Sequence, residues 1–466
     1  MELKLTCGRD IMIKKSVILI TMLISVLVSG VTFAADRVSL GFMYDGAEDI
    51  ELVDRTNGSI NQVSPTCFDI DRKGNLIITN ILTHEYVQAM KERKIMVTPF
   101  LSNHWIRSKG RAAIKNAERL TNQIVNAINE YDLDGVNIDI ENLTTEDKEL
   151  FVEFVKMLKD KLPADKILSV SVAANPEGKD RGWQGSYDYK ALGEIADYLF
   201  LMAYDEHSQG GAAGPVASTN FVENSIKYAL ENVSKDKIVL GIPLYGRYWK
   251  TDEEYGGEAV VIGAVPSLIS KNHAIVKFDE EIGEACATFT VKADGIKSKI
   301  NGVELTSGDY VIWYQTEESI KTKLKLVNEY DLLGAGVWAL GQEKVEVWEY
   351  YKNELNKIPY ESTKEQEIRE HYEALVVDLS KLEEPNIYPL TYIKNEISYS
   401  DLYHKNIDKE EKVLNKTNVV NAMKYKKNII NRNVLDDLRR KKIGNRIFFE
   451  NIGIKNIHIY RLERTN

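Results

Sequence analysis

Cysteine is scarce in this chain. There are three in 466 residues, Cys7, Cys67 and Cys286. The last two lie far apart in sequence, which excludes a disulfide framework and a cysteine-based metal site. Both read as buried free thiols. No HExxH, no CxxC and no spaced histidine cluster occurs, so neither a metal nor a cofactor is expected. Phosphate-cradling loops are missing too. The first apolar run leads into "YDGAEDIEL", without GxGxxG, and "QGGAAG" at Gln209–Gly214 lacks the Lys-Ser/Thr of a P-loop, so it reads as a plain loop. Positive charge does not predominate: 60 Lys and Arg stand against 70 Asp and Glu, a formal net charge of −10. That balance argues against a nucleic-acid partner and says little about fold. Beyond the N-terminus no apolar run is long enough to span a bilayer, and no sugar-binding repeat is visible.

The N-terminus carries the one long apolar run. In "MIKKSVILITMLISVLVSGVTFAAD", Lys14 and Lys15 precede a run from Val17 to Val28 broken only by Thr21 and Ser25, and Thr32-Phe33-Ala34 supplies small residues for cleavage. Residues 1–34 therefore read as an N-terminal extension and secretory signal, which places the mature protein outside the cell, in or near the wall. The alternative is an uncleaved membrane anchor.

From Asp36 to about Leu355, short apolar runs alternate with helical patterns. The runs are "RVSLGFMY", "TCFDID", "KIMVTPFL", "GVNIDIE", "ILSVSVAAN", "YLFLMAY", "KIVLGIPLYG" and "GAGVWAL". Between them, Leu120, Ile124, Ile128 and Tyr131 keep helical spacing. So do Leu150, Phe151, Phe154, Val155 and Leu158, with Thr144 and Asp147 as a variant capping box, and Ile320, Leu324 and Val327. Strand–helix alternation implies parallel strands covered by helices, and eight such units suit a (β/α)₈ TIM barrel over 36–355. Residues of about 248–312 break the pattern with short strand-like runs, which predicts a small α+β insertion between strands 7 and 8 on the C-terminal face of the barrel. Residues 356–466 form a C-terminal extension of different character. Its last part, 401–466, carries sixteen Lys and Arg against eight Asp and Glu. It reads as a solvated tail, a helical segment or a wall-contacting extension.

The fourth run puts carboxylates where a buried strand should be. A strand alternates its faces with period two. In "LDGVNIDIEN" (Leu133–Asn142), Val136, Ile138 and Ile140 then face the covering helices, while Asn137, Asp139 and Glu141 face the barrel interior. Glu141 lies nearest the C-terminal mouth, where barrel active sites sit. Buried, unpaired carboxylates cost several kcal/mol each, so the row is either a hydrogen-bonded packing network or a site. Like-charge repulsion and desolvation at Glu141 would raise its proton affinity and suit it to general acid work on a leaving alcohol.

"DGVNIDIE" resembles the DGxDxDxE signature of family-18 glycoside hydrolases, the chitinases and related β-N-acetylglucosaminidases. "LMAYDEH" (Leu201–His207) resembles that family's sixth strand, "GIPLYGRYW" (Gly241–Trp249) its seventh, and "GAGVWALGQE" (Gly334–Glu343) its eighth, in the family's order. The resemblance covers about Asp36 to Leu355. It implies substrate-assisted retaining cleavage of β-1,4-linked N-acetylglucosamine polymers, peptidoglycan first and chitin second, an exception to the two-carboxylate scheme.

Under it, Glu141 is the acid and then the base, Asp139 holds the acetamide nitrogen, and Tyr204 orients the acetamide oxygen. Trp338 floors the sugar site, with Gly334 and Gly336 leaving it room. Asp205 binds a sugar hydroxyl, Met202 lines the wall, and Tyr44, Trp249 and Trp313 are further contact candidates that read equally well as core aromatics. Asp134, at the strand's start, fits a structural partner. Asn137 departs from the family's usual Asp and so is expected to shift the pH profile, as in the spore-wall-type members that this chain resembles. A non-catalytic lectin-like protein on the same fold is the alternative, against which the retained Glu141 speaks. The expected partner is a polysaccharide containing N-acetylglucosamine, bound by a monomer with no membrane span after signal cleavage.

Overall fold

The computed structural model describes residues 37–44, 49–295 and 297–357, together with the backbone of five short strands between 390 and 462. The expected signal segment, Cys7 and most of the C-terminal extension lie outside the described residues.

The barrel strands are β1 (Val38–Met43), β2 (Gln62–Pro65 continued by Phe68–Ile70), β3 (Met96–Val97 continued by Phe100–Ser102), β4 (Gly135–Asp139), β5 (Ile167–Ala173), β6 (Tyr198–Met202), β7 (Ile238–Pro243) and β8 (Gly334–Trp338). Parallel pairing runs from each strand to the next and from β8 back to β1. This is the expected (β/α)₈ ring with one correction. "TCFDID" supplies only the second half of β2, and the half that pairs with β1 is Gln62–Pro65. Thr66 and Cys67 interrupt β2, as Thr98 and Pro99 interrupt β3, and a proline cannot donate to a ladder. The ladder bridges the gap through the Thr98 N–H to the Val63 carbonyl (2.9 Å) and the Asn137 N–H to the Pro99 carbonyl (2.9 Å).

The covering helices form where the apolar spacing put them. Ala117–Tyr131 buries Leu120, Ile124 and Ile128, and Glu317–Glu329 buries Ile320, Leu324 and Val327. Lys148–Lys161 buries Phe151, Phe154, Val155 and Leu158. Leu150 does not join them: it is exposed, about 100° round the helix from Phe151. The Thr144–Asp147 capping box is formed at the short turn that precedes this helix.

Apolar side chains outside the ring pack it against the helices. A smaller interior cluster holds Leu40, Phe42, Phe100, Tyr198, Phe200, Met202 and Val239. Between β7 and β8 lies the α+β insertion. It is an antiparallel sheet of Glu258–Val261, Tyr245–Lys250, Gly308–Tyr314, Glu284–Val291 and Ile275–Asp279, in that order, with the helix Val265–Asn272. Its first strand starts two residues after β7 ends, so the insertion grows directly from the barrel mouth. Cys67 is buried, but Cys286, on an insertion strand, is only half-buried, which corrects the expectation for the second thiol.

In the unit formed by 358–466, Leu390–Lys394 pairs with His458–Leu462, and Arg446–Phe448 pairs with both Val413–Asn415 and Lys442–Ile443, all antiparallel.

Candidate active site

Strand β4 fulfils its alternation. Val136, Ile138 and Ile140 are fully buried against the outer core. Asn137 and Asp139 point inward and are nearly as buried. The strand itself ends at Asp139, so Glu141 sits on the turn just beyond it. Asn103, from the loop after β3, fixes that turn. Its Oδ1 accepts the Glu141 N–H at 2.8 Å, and its Nδ2 donates to the Glu141 carbonyl at 2.8 Å. Arg107 holds the next residue, donating to the Asn142 carbonyl at 2.6 Å and to its Oδ1 at 2.7 Å. At the other end of the strand, Asp134 accepts the Val97 N–H at 2.7 Å, a structural contact.

The acids at the mouth hold their protons tightly. Burial pushes the Asp139 carboxyl up to about 7, against the pull of hydrogen bonds from Ser102 and Ser171. Burial raises Glu141 well above the usual carboxylate range, and the charges of Asp139 and Asp205 raise it further. Glu141 keeps part of its surface open to solvent while the rest is set deep among protein atoms. Oδ1 of Asp139 is buried and has no hydrogen-bond partner among the described residues. Tyr204 stands within the field of both acids, which with burial holds its phenol neutral. Gly241 makes that position possible, since a Cβ there would come within 2.9 Å of the Tyr204 ring.

Both polar atoms of the Asn137 amide are engaged. Its Nδ2 donates to Ser169 Oγ at 2.9 Å, and its Oδ1 accepts from the Ser171 hydroxyl at 2.9 Å. Below it the polar column continues through Tyr198, which Ser169 also meets, to Gln62 and Thr98 at the base of the barrel.

Trp338 closes the floor at the end of β8, with Phe42 at 5.4 Å, Phe100 at 5.9 Å and Tyr44 at 5.9 Å between ring centroids. The peptide bond from Trp338 to Ala339 is cis. The neighbouring glycines serve a different purpose from the one expected. A Cβ on Gly336 would meet the Phe200 ring at 2.7 Å, and one on Gly334 would strike the Val38 carbonyl at 2.0 Å. They let β8 lie close to β1 and over the interior phenylalanine. Met202 lies in the interior cluster, as a wall residue does. Tyr44 is 54% exposed above Trp338.

Asp205 is already engaged by the protein, while its side chain stays 37% exposed. Arg247 grips both its oxygens, at 2.8 and 2.7 Å, and the Tyr245 hydroxyl donates to one of them at 2.5 Å. Trp249 is buried, with its indole N–H on the Gly211 carbonyl at 2.9 Å, and holds the "QGGAAG" loop rather than lining the site. Trp313 lies half-buried in the insertion sheet.

Several site residues escaped the sequence reading. Trp105, 49% exposed after β3, meets Trp183 edge-on at 5.1 Å. Tyr187 lies in the fields of Glu141 and Asp139 and donates to the Ile140 carbonyl at 3.2 Å. Ser102, Ser169 and Ser171 are common strand residues with no signature. The alternation of "ILSVSVA" puts Ser169 and Ser171 on one face and was the available signal for two of them.

Among the described residues no helix is long and apolar enough to cross a membrane. The family model for glycosyl hydrolases family 18 matches residues 101–343. An uncharacterized glycosylase of Bacillus subtilis, YvbX, is 27% identical over 300 residues, 62% of this chain and 83% of that protein. The cortical fragment-lytic enzyme of Bacillus subtilis is 26% identical over 303 residues, 62% of this chain and 67% of that protein. A chitinase from Chromobacterium violaceum superposes with a TM-score of 0.61 at 26% identity, covering 69% of this chain and 99% of that one. The strand that ends in Asp139, the acid beyond it and the three later motifs all fall within the matched span or on its barrel, and the chain belongs to family 18 of the glycosyl hydrolases, as a chitinase-like glycoside hydrolase.

Proposed function

We propose that this chain is a secreted retaining glycosidase that cuts β-1,4-linked N-acetylglucosamine polymers, with peptidoglycan as its leading substrate and the substrate's own acetamide as nucleophile. The observation that carries the reading is the pair at the end of β4: two acids held against ionisation, with no cation paired to either among the described residues. Glu141 in its protonated form donates to the glycosidic oxygen as the bond breaks. The acetamide oxygen then closes on the anomeric carbon. Asp139 Oδ1, buried without a partner, accepts the acetamide N–H and offsets the charge of the ring so formed. The Tyr204 hydroxyl donates to the acetamide oxygen and aims it. Water then bonds to the anomeric carbon, the bond from that carbon to the acetamide oxygen breaks, and Glu141, now a carboxylate, takes the water's proton and is reset. Trp338 supports the apolar face of the sugar in the cleft.

Peptidoglycan is favoured over chitin by the likeness to a cortical fragment-lytic enzyme. Asp205 acts through charge rather than contact, since Arg247 and Tyr245 occupy it. The domain reading, with residues 356–466 as an extension outside the catalytic barrel, is part of the same proposal. If that extension holds the enzyme on the wall, deleting it lowers wall binding and spares cleavage of soluble oligomers.

The test is product analysis on three substrates: purified peptidoglycan, chitin oligomers and their de-N-acetylated counterparts. Release of reducing-end N-acetylglucosamine from peptidoglycan, with no cleavage of the de-N-acetylated chain, is the expected result. Cleavage of the de-N-acetylated chain would remove the acetamide from the mechanism. Oligosaccharide binding without cleavage would make the protein a lectin.

A further inference from the structure

Where the family signature has a second carboxylate, this chain has an amide, and the hydrogens around it can be counted. A serine hydroxyl has one hydrogen to give. Ser171 sits on β5 beside both Asn137 and Asp139, because β4 and β5 pair Asn137 with Ser169 and Ile138 with Val170. Its Oγ lies 2.9 Å from Asn137 Oδ1, to which it donates. The Asp139 carboxyl is the next inward group beside it, near enough for the same hydroxyl to draw its proton affinity down, though in this structure the hydrogen is given to Asn137. Ser171 cannot serve both acceptors at once. The amide has no freedom to rearrange, because its Nδ2 is fixed on Ser169 at 2.9 Å, and Asn137, Ser169 and Ser171 are all buried. Ser102, the other hydroxyl that draws the Asp139 carboxyl down, accepts the His104 N–H at 3.0 Å, and its hydrogen has no such rival acceptor among the contacts described.

We propose that Ser171 is a positioning residue whose single hydroxyl hydrogen passes from Asn137 Oδ1 to the Asp139 carboxylate when Asp139 ionises, so that Asn137 and Ser171 together replace the second carboxylate of the signature. The proposal rests on the reading of Asp139 as the group that works ionised. No covalent bond to carbon changes. Asp139 releases a proton to solvent, and the Ser171 O–H turns about its Cβ–Oγ bond toward the new charge.

The charged and titratable groups facing Asp139 are Glu141 beyond its own strand, Tyr204 after β6, and Tyr187 from the turn before helix Tyr189–Ile195, with Asp205 acting on Glu141 and Tyr204. Arg247 and Tyr245 stand behind Asp205. None of these touches Ser171 or Asn137 in the hydrogen bonds described, so the serine's choice is set locally.

The account gives two variants opposite signs. Ser171→Ala removes a donor to the Asp139 anion, so Asp139 ionises at higher pH, by about one unit. Asn137→Ala removes the rival acceptor, so the Ser171 hydrogen stays on Asp139, which ionises at lower pH. Ser171→Thr keeps a hydroxyl and restores the wild-type value. The measurement is the ¹³C carboxyl titration of Asp139 in the unliganded full-length chain, beside the acidic limb of the kcat/KM profile on chitin oligomers. Opposite displacements in the two alanine variants support the proposal. Displacement in the same direction, or none, overturns it. If Ser171→Ala does not fold, Asn137→Ala against wild type carries the same decision. The titration needs no turnover. Displaced titrations in a chain that cuts nothing would therefore overturn the hydrolase reading alone, and unmoved titrations in active variants would overturn this one alone.

Discussion

Two regions of this protein bury acids, and they treat them in opposite ways. In the insertion, Glu284 is fully buried and fully answered. Its oxygens accept the N–H groups of Val216 (2.9 Å) and Ala217 (2.7 Å) and the Gln315 amide, with the buried Lys323 ammonium 3.8 Å away. Burial pushes that lysine's proton affinity down while Glu284 and Glu206 hold it up. This acid ties the loop after β6 to the insertion sheet and to helix Glu317–Glu329. In the barrel mouth, Asp139 is also buried and Glu141 partly so, yet no cation pairs with them among the described residues, and one Asp139 oxygen lacks any partner. Identical chemistry is compensated in the insertion and left uncompensated where the proposed mechanism moves a proton. Asp205 lies between the extremes: bound by Arg247 and Tyr245, it still adds its charge to Glu141.

That contrast is sharpest at Asp139. Its proton is held more tightly in the folded chain, up to about 7, than in the unfolded one near 3.8. The native state therefore binds more protons across that window, and stability falls as pH rises through it. Asp139→Asn removes this cost. It should lower turnover about 10²-fold or more, as loss of a charge-stabilising group does, while raising unfolding stability at pH 8 by about 1–4 kcal/mol. Denaturant titration of wild type and variant at pH 5 and pH 8 checks the sign: a variant that is less stable at pH 8 would erase the distinction between the two regions.

Glu284→Ala is the mirror experiment. It strands two backbone N–H groups and a buried ammonium, a loss of about 3–5 kcal/mol. Turnover per folded molecule should change far less than in the Asp139 variant, because Glu284 touches none of the site residues in the hydrogen bonds described. Chemical denaturation paired with single-concentration activity separates the two effects. A full loss of activity without a loss of stability would place Glu284 in the mechanism.

The smallest effect is expected at the intermediate acid. In the proposed mechanism Glu141 works protonated, so activity is lost as pH rises through its ionisation. Asp205→Asn removes one of the negative charges that raise it, and the basic limb of kcat/KM should move down by about one unit or less. A basic limb that moves up, or stays, would show that Asp205 acts by contact.

The alternation of Val136, Ile138 and Ile140 with Asn137, Asp139 and Glu141 carried the interior column, because a period of two leaves no other face for the polar set. The insertion was legible as a break in the strand–helix rhythm. What stayed hidden depended on distant partners. Arg247 reaches Asp205 from a strand 42 residues away, and nothing local to either marks the pair. Ser171 is unremarkable until β5 is laid beside β4. The interruption of β2 at Thr66 and Cys67 misled because its first half, Gln62–Pro65, is short and contains two polar residues. Gly336 was read for the side chain beside it, when the constraint comes from Phe200 beneath.

The central claim is that Glu141, kept protonated at the mouth, delivers the proton that cleaves the glycosidic bond. Glu141→Gln preserves shape and removes the proton. The measurement is the rate of reducing-end N-acetylglucosamine release by wild type and variant at neutral pH, with the thermal midpoint of each. The account predicts a fall of about 10²–10⁴-fold with an unchanged or higher midpoint. A variant that cleaves at more than a tenth of the wild-type rate would contradict it.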